Sequence, residues 1–290
     1  MLEVRFHGRG GQGAVTSAEM IALAAIGEGK YAQAFPSFGP ERRGAPVLAF
    51  VRVSEDKPIK NRAGITKPDV VVIQDPGLLR VADVTVGLKD SGIIVINTRR
   101  SSKEILADFG GKWPVATVNA SAIARQVLGV NIVNTTMLGA LLKAAPVVKL
   151  ESLQEPLKHR FGARAGQNYQ ACTKAYNETV VEPRAATPAK PKLVFPQEKL
   201  LTWKELLPGC VVVDPGSTAQ YSTGDWRSQR PNWDHKVCMK CGICYLSCPQ
   251  SCIGQNEEKY FEANYYHCYG CGVCATECPT RAITMAEEVE

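Results

Sequence analysis

Eight of the eleven cysteines in this 290-residue chain fall into two runs of identical spacing. Cys238, Cys241, Cys244 and Cys248 follow C-x2-C-x2-C-x3-C and precede Pro249. Cys268, Cys271, Cys274 and Cys278 repeat the pattern 30 residues on and precede Pro279. Three closely spaced thiolates wrap one face of a [4Fe–4S] cube, and the fourth, redirected by its proline, reaches the cluster of the other run. The spacing therefore predicts one cluster on Cys238, Cys241, Cys244 and Cys278, and a second on Cys268, Cys271, Cys274 and Cys248. Zinc is the competing metal, but its ribbons use separated C-x2-C knuckles rather than two complete runs each closed by proline. Gly242 and Gly272 fall where the backbone must curl tightly and turn amide groups toward sulfur. Cys252 stands where the second run has Ala282. It is expected to fill core as a small apolar group, an additional ligand being the other reading. Cys172 and Cys210 have no partner motif and are read as structural.

Two further stretches could bind a ligand. GRGGQG (8–13) matches G-x-G-x-x-G at Gly8, Gly10 and Gly13. A dinucleotide site also needs an acidic residue after the second strand, and Glu28 precedes that position. The glycines are thus expected to serve a tight turn and close packing, with an anion at the helix start left open. FGPERRGAP (38–46) sets Arg42 and Arg43 between glycines, an arrangement able to grip a carboxylate or phosphate or simply to face solvent or a subunit. His7, His159, His235 and His267 have no metal or triad spacing, and no paired-carboxylate or Ser/His/Asp pattern stands out.

The elements that must position these groups alternate in type. Strands are expected at 2–8, 47–53, 69–74, 92–98 and 115–120, the runs DVVVIQ and GIIVINT being apolar enough for burial on both faces of a sheet. Helices are expected over 12–29, 121–129, 134–146, 152–162 and 166–180, the third stopped by Pro146. This pattern predicts an α/β fold, a mostly parallel sheet with flanking helices over 1–181, of Rossmann-like character. Prolines at 183, 188, 191 and 196 mark 182–200 as an extended linker. Residues 201–290 then form a second domain, irregular at first, with the two-cluster module at 235–286 as a small α+β unit.

Composition narrows the function classes. Hydrophobic residues make up 45% and charged ones 21%, ordinary for a globular protein, and no stretch approaches the ~20 apolar residues of a membrane span. The N-terminus reads at once as a strand, without the features of a signal peptide, so a cytoplasmic location is expected. An odd cysteine total clustered at ligand spacing points to metal rather than disulfides. Through residue 182 there are 23 Lys+Arg against 16 Asp+Glu, and beyond it 11 against 12. The basic excess thus belongs to the first domain. It forms no stripe with aromatic platforms, and no nucleic-acid partner is expected.

Taken together, GRGGQGAVTSAE, KYAQAFPSFGPERRGAPV, NTTMLGAL and the C-terminal cysteine runs resemble the gamma and delta subunits of the 2-oxoacid:ferredoxin oxidoreductases, fused into one chain. The resemblance spans nearly the whole length and implies a bacterial 2[4Fe–4S] ferredoxin-like second domain. In that family thiamine diphosphate and Mg2+ reside in alpha and beta subunits, with a further [4Fe–4S] cluster. The adduct left by decarboxylation is oxidised one electron at a time through clusters to an external ferredoxin. The resemblance therefore implies alpha and beta partners, assembled as a dimer of heterotrimers. The gamma domain is associated with coenzyme A in members that use it. Arg42 and Arg43, with Gly10 and Gly11, are accordingly the candidates on the side of an anionic substrate or coenzyme A.

The chain lacks the GDG…N magnesium–thiamine motif, its closest string being GDW at 224–226, as expected if the chemistry lies in partner chains. Its loop departs from the PFFGVERRG type of pyruvate enzymes at Ser37 and Pro40. A gamma–delta fusion also resembles the three-chain oxalate oxidoreductase, so pyruvate and oxalate both stand as substrates. The competing class is a redox adaptor that docks a ferredoxin module to an unrelated dehydrogenase. A redox-sensing interaction protein is a third reading.

Overall fold

The computed structural model describes residues 1–37, 44–193, 202–209, 211 and 213–288. The chain divides into two compact units, Met1–Val194 and Phe195–Glu290.

The first unit is built on seven strands: β1 (Leu2–Arg9), β2 (Tyr31–Ser37), β3 (Pro46–Ser54), β4 (Val70–Ile73), β5 (Ile93–Asn97), β6 (Val115–Val118) and β7 (Val180–Glu182). Their order is β2-β3-β1-β4-β5-β6-β7. The centre β1-β4-β5-β6 is parallel, as expected. The flanking pairs, β2 with β3, β3 with β1 and β6 with β7, are antiparallel. Helices α1 (Ala14–Gly27), α2 (Ser102–Asp108), α3 (Ala120–Leu128), α4 (Asn134–Ala144), α5 (Gln154–Phe161) and α6 (Ala165–Glu178) cover the sheet.

Strand periodicity divides the core in two. Val70 and Val72 of β4 join the cluster made with α1, α3, α4, α5 and α6. Val71 and Ile73 join a second cluster with Leu78, Leu88, Ile105 and Phe109. This is the burial on both faces that an uninterrupted Val/Ile run implies. Where α4 crosses α6 the backbones nearly touch: a Cβ on Gly139 would collide with the Cys172 carbonyl. Cys172 is fully buried and donates Sγ–H to the Thr135 carbonyl at 2.9 Å, which holds the pair together. Burial pushes its thiol up to about 12, so it stays a neutral core group.

β1 sends Val4 and Phe6 into the larger cluster and carries Arg5 and His7 at the alternate positions, both buried. Arg5 donates Nε–H to His7 Nε2 at 3.0 Å and Nη2–H to the carbonyls of Val84 and Val86 at 2.9 and 2.7 Å. Burial, aided by the Arg5 charge, pushes His7 from its ordinary 6.5 down to about 3. His7 is therefore the neutral acceptor of the Arg5 proton. Below pH 6.5 the unfolded chain binds a proton that the folded chain refuses, so stability is lost as pH falls from 6.5 toward 3. By pH 4.5 this single group should cost about 3 kcal/mol, at ~1.4 kcal/mol per pH unit. His7→Gln keeps an acceptor for Arg5 and should flatten that part of the pH dependence. Parallel denaturant titrations of the two proteins at pH 7 and 4.5 measure the difference, and equal slopes would remove the assignment.

Residues 185–193, expected as part of a linker, are held on the first unit. Ala185 and Ala189 donate N–H to the carbonyls of Gly111 and Gly110 at 2.9 and 2.7 Å, Lys192 donates to that of Asp108 at 3.0 Å, and Leu193 packs on the second cluster. The prolines there limit alternatives, and the donors they leave find carbonyls at the end of α2. Residues 194–201 lie outside the described residues.

The second unit contains β8 (Gln229–Trp233), α7 (Ile243–Leu246), β9 (Ile253–Gln255), β10 (Phe261–Ala263), α8 (Val273–Thr276) and β11 (Ile283–Glu287). β8 pairs with β11 and β9 with β10, both antiparallel. The 30-residue repeat is visible in the backbone. Lys240 and Gly270, Gly242 and Gly272, and Ser251 and Arg281 are equivalent pairs, and all six have left-handed φ between 50° and 79°. Among the described residues its buried apolar core is small: Ile253, Ile283, Ala282 and the thiols of Cys252, Cys268 and Cys274. So little buried apolar surface cannot hold about 60 residues together, and small domains of this kind depend on metal for folding. Among the described residues no helix is long and apolar enough to cross a membrane.

Candidate metal centres

The two cysteine runs curl into two recesses. One is lined by Cys238, Cys241, Cys244 and Cys278, together with Trp233 and Ala282. The other is lined by Cys248, Cys268, Cys271 and Cys274, together with Cys252 and Ala263. Each recess thus takes three cysteines from one run and the fourth from its twin. Among the described residues no three His, Cys, Asp or Glu side chains converge on a single ion. The donor set, all sulfur and spread around a chamber, fits an iron–sulfur cube better than one zinc ion.

The fourth cysteine of each run sits in a matching nest of backbone donors. The amides of Gln250, Cys252 and Ile253 face Cys248, and those of Thr280, Ala282 and Ile283 face Cys278. The Ala282 N···Sγ distance is 3.3 Å. A hydrogen bond from the Cys252 thiol, with those amides, pushes Cys248 down to about 5 despite burial. Burial opposes the same effect at Cys278, but the Thr280 hydroxyl and the amides prevail and lower it. Burial instead raises Cys244, and takes Cys274 up to about 12. Such positions become thiolates when a cation replaces the proton.

The fifth thiol, Cys252, is buried. Its Sγ lies 3.6 Å from Cys248 Sγ. Hydrogen bonds to Cys248 and Cys268 hold it protonated, and Cys268 is correspondingly brought to about 7. Cys252 is thus buried as expected, but it faces the ligand chamber.

Residues 217–228, read from the sequence as irregular chain, strap the second run. Ser222 Oγ–H and Gly224 N–H donate to the Tyr266 carbonyl at 3.2 and 2.8 Å, and Thr223 Oγ1–H to that of His267. Arg227 donates to the carbonyls of Tyr265 and Cys268, is paired with Glu288 at 2.8 Å, and lies over the Tyr265 ring. The strap explains one departure from the repeat. A Cβ on Gly270 would strike the Gln229 carbonyl, whereas its counterpart Lys240 tolerates a side chain at φ 59°. His235 stacks on Tyr260 at 4.3 Å and lies 3.0 Å from Glu262, and His267 meets Tyr266 edge-on.

In the first unit the glycine run ends β1. Gly13, at φ 82°, starts α1 without a side-chain cap, and a Cβ there would press on Asn134 of α4. The GRGGQG and FGPERRGAP motifs, separate in sequence, meet: Gly10 N–H donates to the Ala45 carbonyl at 2.8 Å and Gly44 N–H to that of Gly10 at 3.0 Å. Arg9, which the glycine pattern treats as a spacer, anchors the junction. Its Nε–H donates to Asp75 Oδ2 at 3.0 Å and its Nη1–H to the Gly44 carbonyl at 3.2 Å. Gln12 Nε2–H reaches the same Asp75 oxygen at 2.7 Å, and the other oxygen caps Gly77 N–H at 2.9 Å. No sequence pattern announced Arg9 or Asp75, which lie 66 positions apart. Arg42, Arg43 and Cys210 lie outside the described residues.

A sheet with a parallel centre carrying this glycine run, joined to a duplicated cysteine domain, defines the class. Residues 3–178 match the pyruvate ferredoxin/flavodoxin oxidoreductase family model, and the chain belongs to that family. Residues 224–283 match the 4Fe-4S dicluster domain. Among its relatives is the pyruvate/ketoisovalerate oxidoreductases common subunit gamma of Thermococcus kodakarensis. It is 55% identical over 183 residues, covering 62% of this chain and 98% of that protein. Pyruvate synthase subunit PorC of Methanothermobacter thermautotrophicus is 49% identical over 180 residues, or 61% and 96% of the two chains. The crystal structure of pyruvate oxidoreductase subunit PORC from Thermotoga maritima superposes with a TM-score of 0.56 at 35% identity, covering 62% of this chain and 97% of that one.

Proposed function

We propose that this chain is the fused gamma–delta subunit of a thiamine-diphosphate-dependent 2-oxoacid:ferredoxin oxidoreductase. It relays electrons released in partner alpha and beta subunits to an external ferredoxin. The carrying observation is the pair of all-cysteine recesses, each completed by the opposite run. Cys238, Cys241, Cys244 and Cys278 would hold one [4Fe–4S] cluster, and Cys268, Cys271, Cys274 and Cys248 the other. A bound cluster supplies one-electron uptake and release at low potential. The chain's own work is to hold the thiolates, donate amide hydrogen bonds to the fourth cysteine of each run, and exclude bulk water.

Thiamine diphosphate, Mg2+ and a third [4Fe–4S] cluster belong, in this reading, to the alpha and beta partners, in a cytoplasmic dimer of heterotrimers. The domain limits 1–181 and 201–290 belong to the same reading. Gly10, Gly11, Arg42 and Arg43 are proposed to face a substrate carboxylate or coenzyme A. The names of the relatives favour pyruvate or a branched 2-oxoacid, with oxalate as the other substrate.

The test is anaerobic purification of the native complex and dye-reduction assays with pyruvate, oxalate, 2-oxoglutarate and branched 2-oxoacids, with and without coenzyme A. Reduction dependent on one of these acids is expected. Purification with an unrelated dehydrogenase and no thiamine-binding chain would favour the adaptor reading. In the same assay Arg42→Ala/Arg43→Ala should raise KM for one anionic substrate, and unchanged kinetics for all would remove that role.

A further inference from the structure

The repeat makes the two recesses near copies, so their differences are informative. At two positions one copy has alanine and the other a hydrogen-bond donor. Trp233 lines the first recess where its counterpart Ala263 lines the second. Cys252 lines the second recess where its counterpart Ala282 lines the first. Apart from the Thr280 hydroxyl, which turns to the ligand Cys278 in the first recess, each recess therefore has one further side-chain donor that is not among its four ligand cysteines, and the two come from different repeat positions.

Both donors face sulfurs of ligand cysteines. Trp233 Nε1–H is buried and makes no hydrogen bond of ordinary geometry. The acceptor it faces is the Cys244 sulfur. A buried indole N–H so poorly partnered loses part of its hydration without compensation. An acceptor supplied by a bound group would recover it. Cys252 Sγ, 3.6 Å from Cys248 Sγ, meets the sulfurs of the ligands Cys248 and Cys268.

Resting on the cluster reading above, we infer that Trp233 and Cys252 are non-ligand hydrogen-bond donors to the sulfurs of the first and second cluster, and that each sets the potential of its own cluster independently. The physical basis is simple. Adding an electron makes a cluster and its thiolates more negative, so a donor aimed at sulfur stabilises the reduced form more than the oxidised form. Each donor thus raises its cluster's potential. No bond forms or breaks, and neither residue takes up the electron.

The experiment is an EPR-monitored redox titration of the anaerobically reconstituted full chain, with iron and sulfide analysis first. About eight irons per chain are required. Fewer in the unsubstituted protein would overturn the cluster reading itself, separately from the present inference. With both clusters present, Cys252→Ala should lower the potential of one signal and leave the other in place. Cys252→Ser, which keeps a donor, should restore most of the shift. Trp233→Phe should lower the other signal alone. Ala282→Cys, which copies the second recess into the first, should raise that same signal and reads this recess if Trp233→Phe fails to assemble. Unmoved potentials with intact clusters, or substitutions in the two recesses that move the same signal, would overturn the inference.

Discussion

Alanine in place of Cys278 is expected to empty the recess built by the first cysteine run, leaving the recess of its own run occupied. Cys278 lines the chamber of Cys238, Cys241 and Cys244, whereas Cys248 lines that of Cys268, Cys271 and Cys274. Iron should fall from about eight to about four per chain. Pairs of substitutions decide the connectivity. In the Cys278→Ala background, adding Cys238→Ala should leave the remaining iron unchanged, while adding Cys268→Ala should abolish it. Pairing within each run predicts the reverse. The structural effect should also be large. Among the described residues the second unit buries just two large apolar side chains, Ile253 and Ile283, with Ala282 and cysteines around them, so metal binding must supply much of its folding free energy. Far-UV circular dichroism and proteolysis should register partial unfolding of this unit in the single variant and near-complete unfolding when both clusters are lost.

The second large effect is expected at Asp75. Its carboxylate neutralises Arg9, whose side chain is only 3% exposed, and the pair sits at 3.0 Å. Asp75→Asn strands the guanidinium charge in a site with little water, and breaking one side of a buried pair costs about 3–5 kcal/mol. For a unit of this size the melting temperature should fall by about 10 °C, at ~2–4 °C per kcal/mol. Arg9→Met/Asp75→Leu removes both charges and should recover much of the loss. A double variant no more stable than Asp75→Asn would show that the hydrogen bonds, not the charge balance, carry the site. The effect has a functional side, because Arg9 also holds the Gly44 carbonyl and Gly10 pairs with Gly44 and Ala45. Loosening the pair should therefore disturb the glycine run together with the chain that follows the Arg42–Arg43 segment.

How much could be read in advance differed sharply between the two units. The parallel strands around 69–74, 92–98 and 115–120 were legible because runs of Val and Ile have one stable destination, a sheet buried on both faces. β2 leaves no strand pattern in the sequence. YAQAFPS carries a proline, half-exposed small residues and no clear alternation, and it is a strand because β3 offers it an antiparallel edge. The stretch 185–193 read as linker because proline suppresses periodicity, yet its amides find the carbonyls of Gly110, Gly111 and Asp108.

For the candidate centres, the sequence by itself determined the ligand type, the duplication and the tight curls at Gly242 and Gly272, since all three follow from covalent spacing of a few residues; the left-handed backbone at Lys240, Ser251 and Arg281 came only with the fold. The family resemblance was equally legible, because its motifs are contiguous strings. Only the tertiary structure decided what surrounds the sulfurs. Trp233 is an unremarkable letter, and Cys252 a spare thiol, until folding sets them in opposite recesses beside Ala282 and Ala263. Arg227 becomes a clamp on the Cys268 carbonyl only when the strap crosses the second run. Arg9 and Asp75 become a pair only when β1 and β4 lie side by side. In each case one polar residue leaves no periodic trace, and its partner is chosen by topology across tens of residues rather than by local propensity.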